Sequence, residues 1–341
     1  MLKINFRPKQ KTKAILSYLD KKPRDVLEQR FGLSGDSPKT LEAIGQGYGI
    51  TRERVRQIEE DALRRLHKSE AFAESQEVFD ELKEKIDMLG SVVHEKEFLN
   101  NVGGESSAKN HIKFLLVLGD DFNHLREDDE FHHRWTIDQN KTEKIHEAFR
   151  RLHKELSPDD LLPEKEIFSR FLNHIKNLAV NIDRDAVPIL IKISRIIAPN
   201  ALGEWGHISS PNIRPRGVRD LAFLTMRKHG SPMHFTEAAE AINKIFSRPV
   251  NTQTVHNEFI KDDRFILVGR GLYALKEWGY ESGVVRDVIK KILLANGPLP
   301  KEEIVKVVMK ERYVKKNTIL INLQNGEYFK KNPDGSYVAI N

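Results

Sequence analysis

Five polar side chains crowd one helical stretch directly after Thr51: Arg52, Glu53, Arg54, Arg56 and Gln57. Their types suit base edges, since Arg bridges guanine O6 and N7, Gln pairs with adenine N6 and N7, and Glu accepts from cytosine N4. On a wheel at about 100° per residue, Val55, Ile58, Ala62 and Leu66 form an apolar stripe, and Arg52, Glu53, Arg56, Gln57 and Glu60 lie opposite. A solvated face could carry the same mixture of charges. The capped turn in front of it favours a face that reads DNA. Thr40 caps a short helix through Tyr48, Gly49 supplies a left-handed turn residue, and Thr51 caps the second helix. This is the layout of a helix-turn-helix.

Two further sets of side chains have weaker DNA-binding chemistry. Gln253, His256 and Asn257 share a helix, with Arg270 in a tight Gly-Arg-Gly turn beyond it. Lys315, Lys316 and Asn317, with Lys330 and Lys331, make a basic edge that phosphates favour, although a solvated lysine face would read the same. The run Arg126 to Glu130 is acidic where a wing is expected; a duplex would repel it, and a protein partner suits it better.

The elements that must carry these residues are mostly short helices, with a few strand pairs marked by β-branched and aromatic residues. The helical pattern from Thr51 is expected to run on into the acidic stretch Glu70 to Leu89. After Leu89 a theme recurs about every 65 residues, in which helices precede a strand pair bearing Trp or Tyr. The clearest copies are Val218 to Tyr280, with a hairpin over Arg264 to Leu275, and Val284 to Ile340, with Pro333-Asp334-Gly335 as the hairpin turn. Phe79 to Asp138 and Glu143 to Ile213 are degenerate copies, with Trp135, Trp205 and Trp278 as landmarks of the first three. The expected fold is mainly α: a helix-turn-helix domain at 11–68 followed by tandem winged-helix modules with small β-hairpin wings. The modules are an acidic connector with a degenerate winged helix (69–140), a second degenerate one (141–215), a third at 216–280 and a C-terminal one at 281–341.

Arg30-Phe-Gly-Leu, Thr40-Leu-Glu-Ala-Ile-Gly and Thr51-Arg-Glu-Arg-Val-Arg-Gln-Ile-Glu59, followed by Ala62-Leu-Arg-Arg-Leu66, resemble region 4 of the sigma-70 family of bacterial sigma factors. That domain reads the −35 promoter element. The resemblance implies that Arg52, Glu53 and Gln57 touch base edges and that Arg54 and Arg56 serve phosphates or neighbouring bases. It also implies that Thr40 and Leu41 present a helix N-terminus to a phosphate. The implied partners are double-stranded DNA and bacterial RNA polymerase, through the flap of its β subunit. Fewer than 30 residues precede the motif, so the promoter-melting domain of such factors is expected to be missing and the layout to differ from that of a complete sigma factor. Pro232 to Ala239 with Asp263 to Leu275 is similar to the HARE-HTH winged helix, found in the delta subunit of RNA polymerase and in chromatin and restriction proteins. It implies contact with DNA or with the transcription machinery.

Composition bounds the rest. Charged residues make up 31% and hydrophobic ones 39% of 341, enough apolar material to fold. The absence of cysteine excludes disulfides, thiolate metal sites and thiol nucleophiles. Net charge is +7 over 1–68, −10 over 69–140 and +9 over 141–341, so a polyanion is drawn to the ends and repelled by the middle. No membrane span, cofactor, metal site or catalytic residue is expected, and the thirteen histidines, His132, His133, His146 and His153 among them, are expected at the surface. The expected function is sequence-specific DNA binding in transcription initiation, without catalysis, in the cytoplasm and on the nucleoid. The alternative is a winged-helix interaction scaffold or polymerase accessory factor that binds DNA non-specifically. A metal nuclease built on Glu81, Glu164 or Glu166 is a remote third.

Overall fold

A computed structural model describes residues 3–35, 37–103, 106–280 and 283–340. Asp36 of the N-terminal motif and the expected segment boundary at 281 lie outside the described residues. The chain opens with four helices, α1 (Pro8–Leu16), α2 (Lys21–Phe31), α3 (Leu41–Tyr48) and α4 (Arg52–His67). The expected continuation of α4 into the acidic stretch does not occur. Ser69 Oγ accepts from the Phe72 N–H at 3.3 Å and caps a new short helix, α5 (Glu70–Ala73), before α6 (Gln76–Met88). A side-chain acceptor there competes with the helical ladder and re-aims the chain.

From α6 onward one order of elements is repeated four times: helix, short strand, helix, helix, hairpin. The first copy is α6, β1 (Val92–His94), α7 (Glu95–Gly103), α8 (Ser106–Leu118), β2 (Asn123–Leu125) and β3 (Arg134–Thr136). The second is α9 (Gln139–Glu155), a single bridge at Leu162, α10 (Glu164–Asn177), the short α11 (Val187–Leu190), β4 (Ile197–Pro199) and β5 (Trp205–His207). The third is α12 (Val218–His229), β6 (Met233–His234), α13 (Phe235–Phe246), α14 (Thr252–Lys261), β7 (Phe265–Gly269) and β8 (Leu272–Leu275). The fourth is α15 (Val285–Asn296), β9 (Leu299–Pro300), α16 (Lys301–Glu311), α17 (Lys316–Leu323), β10 (Phe329–Lys331) and β11 (Ser336–Ala339). In the three-stranded sheets the last strand always lies in the middle, giving orders β1-β3-β2, β6-β8-β7 and β9-β11-β10.

On that central strand one aromatic residue faces an apolar residue of the short strand: Val93 opposite Trp135, Leu162 opposite Trp205, Met233 opposite Tyr273 and Leu299 opposite Tyr337. Such cross-strand pairs stabilise small sheets. The third landmark is therefore Tyr273 and not Trp278, which follows the sheet in a 3₁₀ turn (Lys276–Trp278) and is half-buried there. The sequence echo Glu-Trp-Gly hid the change because it sits on two different elements.

The residues divide into two units, Met1–Ala198 with Trp205–Ile208, and Pro199–Glu204 with Ser209–Asn341. In the first, one apolar core joins Leu16, Leu27 and Leu66 to Leu82, Phe98, Phe114 and Trp135, and so runs across the expected boundary at Lys68. A second core holds Phe149, Phe171 and Ile191 of the second copy together with Phe131, which comes from the hairpin loop of the first. In the other unit Ile289, Ile304, Val308 and Phe329 make the core of the fourth copy. Among the described residues no helix is long and apolar enough to cross a membrane.

Candidate nucleic-acid interface

The helix-turn-helix is built on three nearly solvent-free residues, Val26 of α2, Ile44 of α3 and Val55 of α4, with Leu41, Tyr48, Ile50 and Ile58 packed around them. The apolar stripe of α4 serves two cores in succession. Val55 and Ile58 hold α2 and α3, while Ala62 and Leu66 join the larger core below. The turn is close-fitting. Gly45 lies so near the following segment that an added Cβ would sit 2.6 Å from the Ile50 carbonyl oxygen, and Gly49 has φ +67°. Only glycine satisfies both constraints without strain.

Both caps form as their residue types require. Thr40 Oγ1 accepts from the Ala43 N–H and Thr51 Oγ1 from the Arg54 N–H, each at 3.2 Å. Leu41 is half-buried on the core, so what it can offer an anion is its main-chain amide at the start of α3. Arg52, Glu53, Arg54, Arg56 and Gln57 are all exposed. They mostly partner one another: Arg56 pairs with Glu53 at 2.6 Å and with Glu60, and Arg54 donates to Gln57 Oε1 at 3.1 Å. The Arg56 hydrogen bond holds the Glu53 carboxyl below its usual range, and the two carboxylates push the guanidinium up. Exposed pairs within one helix are weak, so exchanging them for base or phosphate contacts costs little. Arg52 makes no side-chain hydrogen bond or ion pair among the described residues.

Arg30, noted in the sequence only as part of a motif, has a positioning role. It donates to the Lys39 carbonyl at 3.1 Å and faces Glu59 at 3.5 Å, tying the loop before α3 to the back of α4. Burial raises the Glu59 carboxyl while Arg30 opposes the shift. Spacing could not have shown this contact, because the partners lie 29 positions apart on different helices.

The second set is only partly assembled. Gln253 and Asn257 are exposed on α14 and bond each other at 3.3 Å, whereas His256 is half-buried and stacks on Phe235 with ring centroids 4.3 Å apart. Arg270 is exposed in the hairpin turn. Its neighbour Gly271 has φ +69° and presses against His234, where a Cβ would meet Nε2 at 2.4 Å. Lys315 precedes α17 and Lys316 begins it, both exposed. Arg270 and Lys315 flank one groove of about 870 Å³; Gln253 and Asn257 do not line it.

Among the histidines, His124, His133 and His229 are exposed as expected, and His146 is not. His146 is buried on α9, accepts from Arg134 Nε at 3.0 Å and stacks on Phe131, and burial lowers its pKa to about 4. His132 stacks on His94 and contacts Glu127, His133 stacks on His124, and His153 meets His207 at a tilt with ring centroids 4.0 Å apart. A charged helical pattern cannot disclose such cross-element packing. No cluster of three His, Asp or Glu suited to a metal ion occurs among the described residues.

Residues 15–68 match the family described as Sigma-70, region 4. The stretch is 56% identical over 52 residues to the RNA polymerase sigma factor SigA1 of Synechococcus elongatus, which covers 15% of this chain and 13% of the relative. It is 54% identical over 52 residues to SigA of a Nostoc species, with the same two shares. It is 53% identical over 51 residues to RpoS of Coxiella burnetii, covering 15% and 14%. The chain thus spans about an eighth of the length of the curated relatives it matches.

Proposed function

We propose that this protein is a non-catalytic, sequence-specific DNA-binding factor of transcription initiation, which reads duplex DNA with the start of α4 and works with bacterial RNA polymerase. The observation that carries this reading is the exposed face of Arg52, Glu53, Arg54, Arg56 and Gln57 behind a capped, glycine-tightened turn, in a segment similar to region 4 of sigma factors. Arg52, Glu53 and Gln57 address base edges. Arg54 and Arg56 address phosphates or neighbouring bases, and Thr40, Leu41 and Thr51 bring two helix N-termini to the backbone. The β flap of the polymerase is the proposed docking partner, and the cytoplasm with its nucleoid the proposed location. The segments 69–140, 141–215, 216–280 and 281–341 act as winged-helix modules, the third of them HARE-HTH-like. Gln253, Asn257 and Lys316 add contacts without sequence preference.

The test is a binding assay on a randomised duplex library followed by single-site titrations. Arg52→Ala or Gln57→Ala relaxes preference at one base pair, by about 1–3 kcal/mol of discrimination. Lys316→Ala weakens all sequences alike and flattens the salt slope by about one unit. Equal losses on every duplex for Arg52→Ala would defeat the reading. A second reading, an interaction scaffold, is favoured by one observation. The third helix of the first copy, α8, is covered by α1 and α2 of the same chain, with Asn110 Nδ2 donating to the Gly32 carbonyl at 3.0 Å, so in this copy that helix packs against protein.

A further inference from the structure

Two hairpins of the repeat meet the copy that follows them in contrasting ways. In the first unit the loop between β2 and β3 is long and acidic, and it is received by the second copy. Phe131 is buried in that copy's core, with the guanidinium of Arg150 on α9 5.8 Å from its ring and that of Arg134, from its own hairpin strand β3, 5.0 Å from it. Two carboxylates of the loop reach the second copy, Glu130 to Arg150 at 2.9 Å and Glu127 to Arg195 at 3.4 Å, while Asp128 pairs with Arg134 of its own hairpin at 2.9 Å. The backbone adds a bridge from Phe131 to Ser194. This chain therefore contains a worked case of an acidic segment with an aromatic anchor seated on a repeat copy.

In the other unit the hairpin of the third copy turns in two residues, Arg270 and Gly271, and inserts nothing. No described residue fills the groove of about 870 Å³ between it and the fourth copy. Its walls carry three large apolar side chains left in solvent, Leu267 at 51%, Val284 at 59% and Tyr313 at 55% exposure, with Leu272 beside them. Its rim carries Arg270 and Lys315, and no carboxylate is among the described residues that line it. Apolar walls of this extent under a cationic rim match an apolar or aromatic anchor flanked by carboxylates. A nucleic acid would want more ring surface than one tyrosine on the wall.

We propose that this groove docks a short acidic segment with an aromatic anchor, belonging to a partner protein, in the way the first copy's loop is held by the second. The site is separate from α4, so its failure leaves the DNA reading untouched, and the failure of that reading leaves this one.

The probe is a fluorescein-labelled octapeptide with the chain's own loop sequence, Arg-Glu-Asp-Asp-Glu-Phe-His-His, titrated into the full-length protein. Saturable binding is expected. It should weaken at least about tenfold in Arg270→Glu/Lys315→Glu and again in Leu267→Ser/Tyr313→Ser, as loss of steering charge and anchor contacts requires. Thermal melts of both double variants should match that of the parent protein, as exposed substitutions require. A second measurement needs no variant: with a photoreactive benzoyl-phenylalanine in place of the peptide's Phe, cross-links should map to 267–272 and 313–318. Absence of saturation, binding that survives both double variants, or cross-links elsewhere overturns the proposal. So does an oligothymidylate that binds and is lost in the same variants while the peptide does not bind, which would mark the groove as a single-strand site.

Discussion

Helices α8 and α14 hold the same place in their repeat copies, and they do opposite things. In α8 Ile112, Phe114, Leu115, Leu116 and Leu118 are all buried, and α1 and α2 lie across the helix; Phe114 meets Phe31 edge-on with ring centroids 5.3 Å apart. In α14 only Val255 and Phe259 are buried, and Gln253, Asn257 and Ile260 face outward. The topological slot does not confer recognition; what covers the slot decides it. By that measure α4, with one buried stripe and one free polar face, resembles α14 far more than α8.

The contrast can be broken most forcefully at Phe114. Phe114→Ala should cost about 3–5 kcal/mol and loosen the whole helix-turn-helix with it, whereas Ile260→Ser on the free side of α14 should change stability by no more than about 0.5 kcal/mol. Urea unfolding followed by circular dichroism measures both, and comparable losses would show that α14 is covered after all.

The next effect depends on pH, at the joint that makes the first unit continuous. Arg134 Nε needs an acceptor, so His146 Nε2 must carry a lone pair, and burial keeps the ring neutral down to about 4 against an ordinary 6.5. Below pH 6.5 the unfolded chain binds a proton that the folded one refuses. The first unit therefore loses stability as pH falls from 6.5 toward 4, by up to roughly 3 kcal/mol. His146→Gln, which keeps an acceptor for Arg134, should flatten that part of the stability–pH curve. Hydrogen exchange resolved by region reads it, and an unchanged acid slope would refute the assignment.

The smallest effect compares two asparagines. Asn110→Ala removes the bond to the Gly32 carbonyl and should cost about 1 kcal/mol, while Asn257→Ala on the open face should be neutral for stability. Equal losses would mean that the open face is not open.

Much of this layout was legible beforehand. Thr40, Gly49 and Thr51 announce a capped turn through local rules alone, and the wheel through Val55, Ile58, Ala62 and Leu66 assigns the buried stripe of α4 correctly. The hairpins around Gly271 and Gly335 follow from turn chemistry in the same way. The misreadings share a cause. The tripeptide echo points to Trp278, although strand register, a non-local property, places Tyr273 at the equivalent position. His146 looked exposed because its helix is charged, yet Phe131 and Arg134 arrive from another element to bury it. The acidic run 126–130, by contrast, points to protein rather than DNA as its contact, and the second copy of the same chain pairs with it.

Residue order by itself determined which segments become helices, where they are capped, and which face of each is oily, because these depend on neighbours within a turn or two. Which oily or polar face is then covered depended on chain segments tens of positions away. Only their packing decided that α8 is sealed under α1 and α2 while α4 keeps its polar face in solvent and no described residue fills the groove by Tyr313.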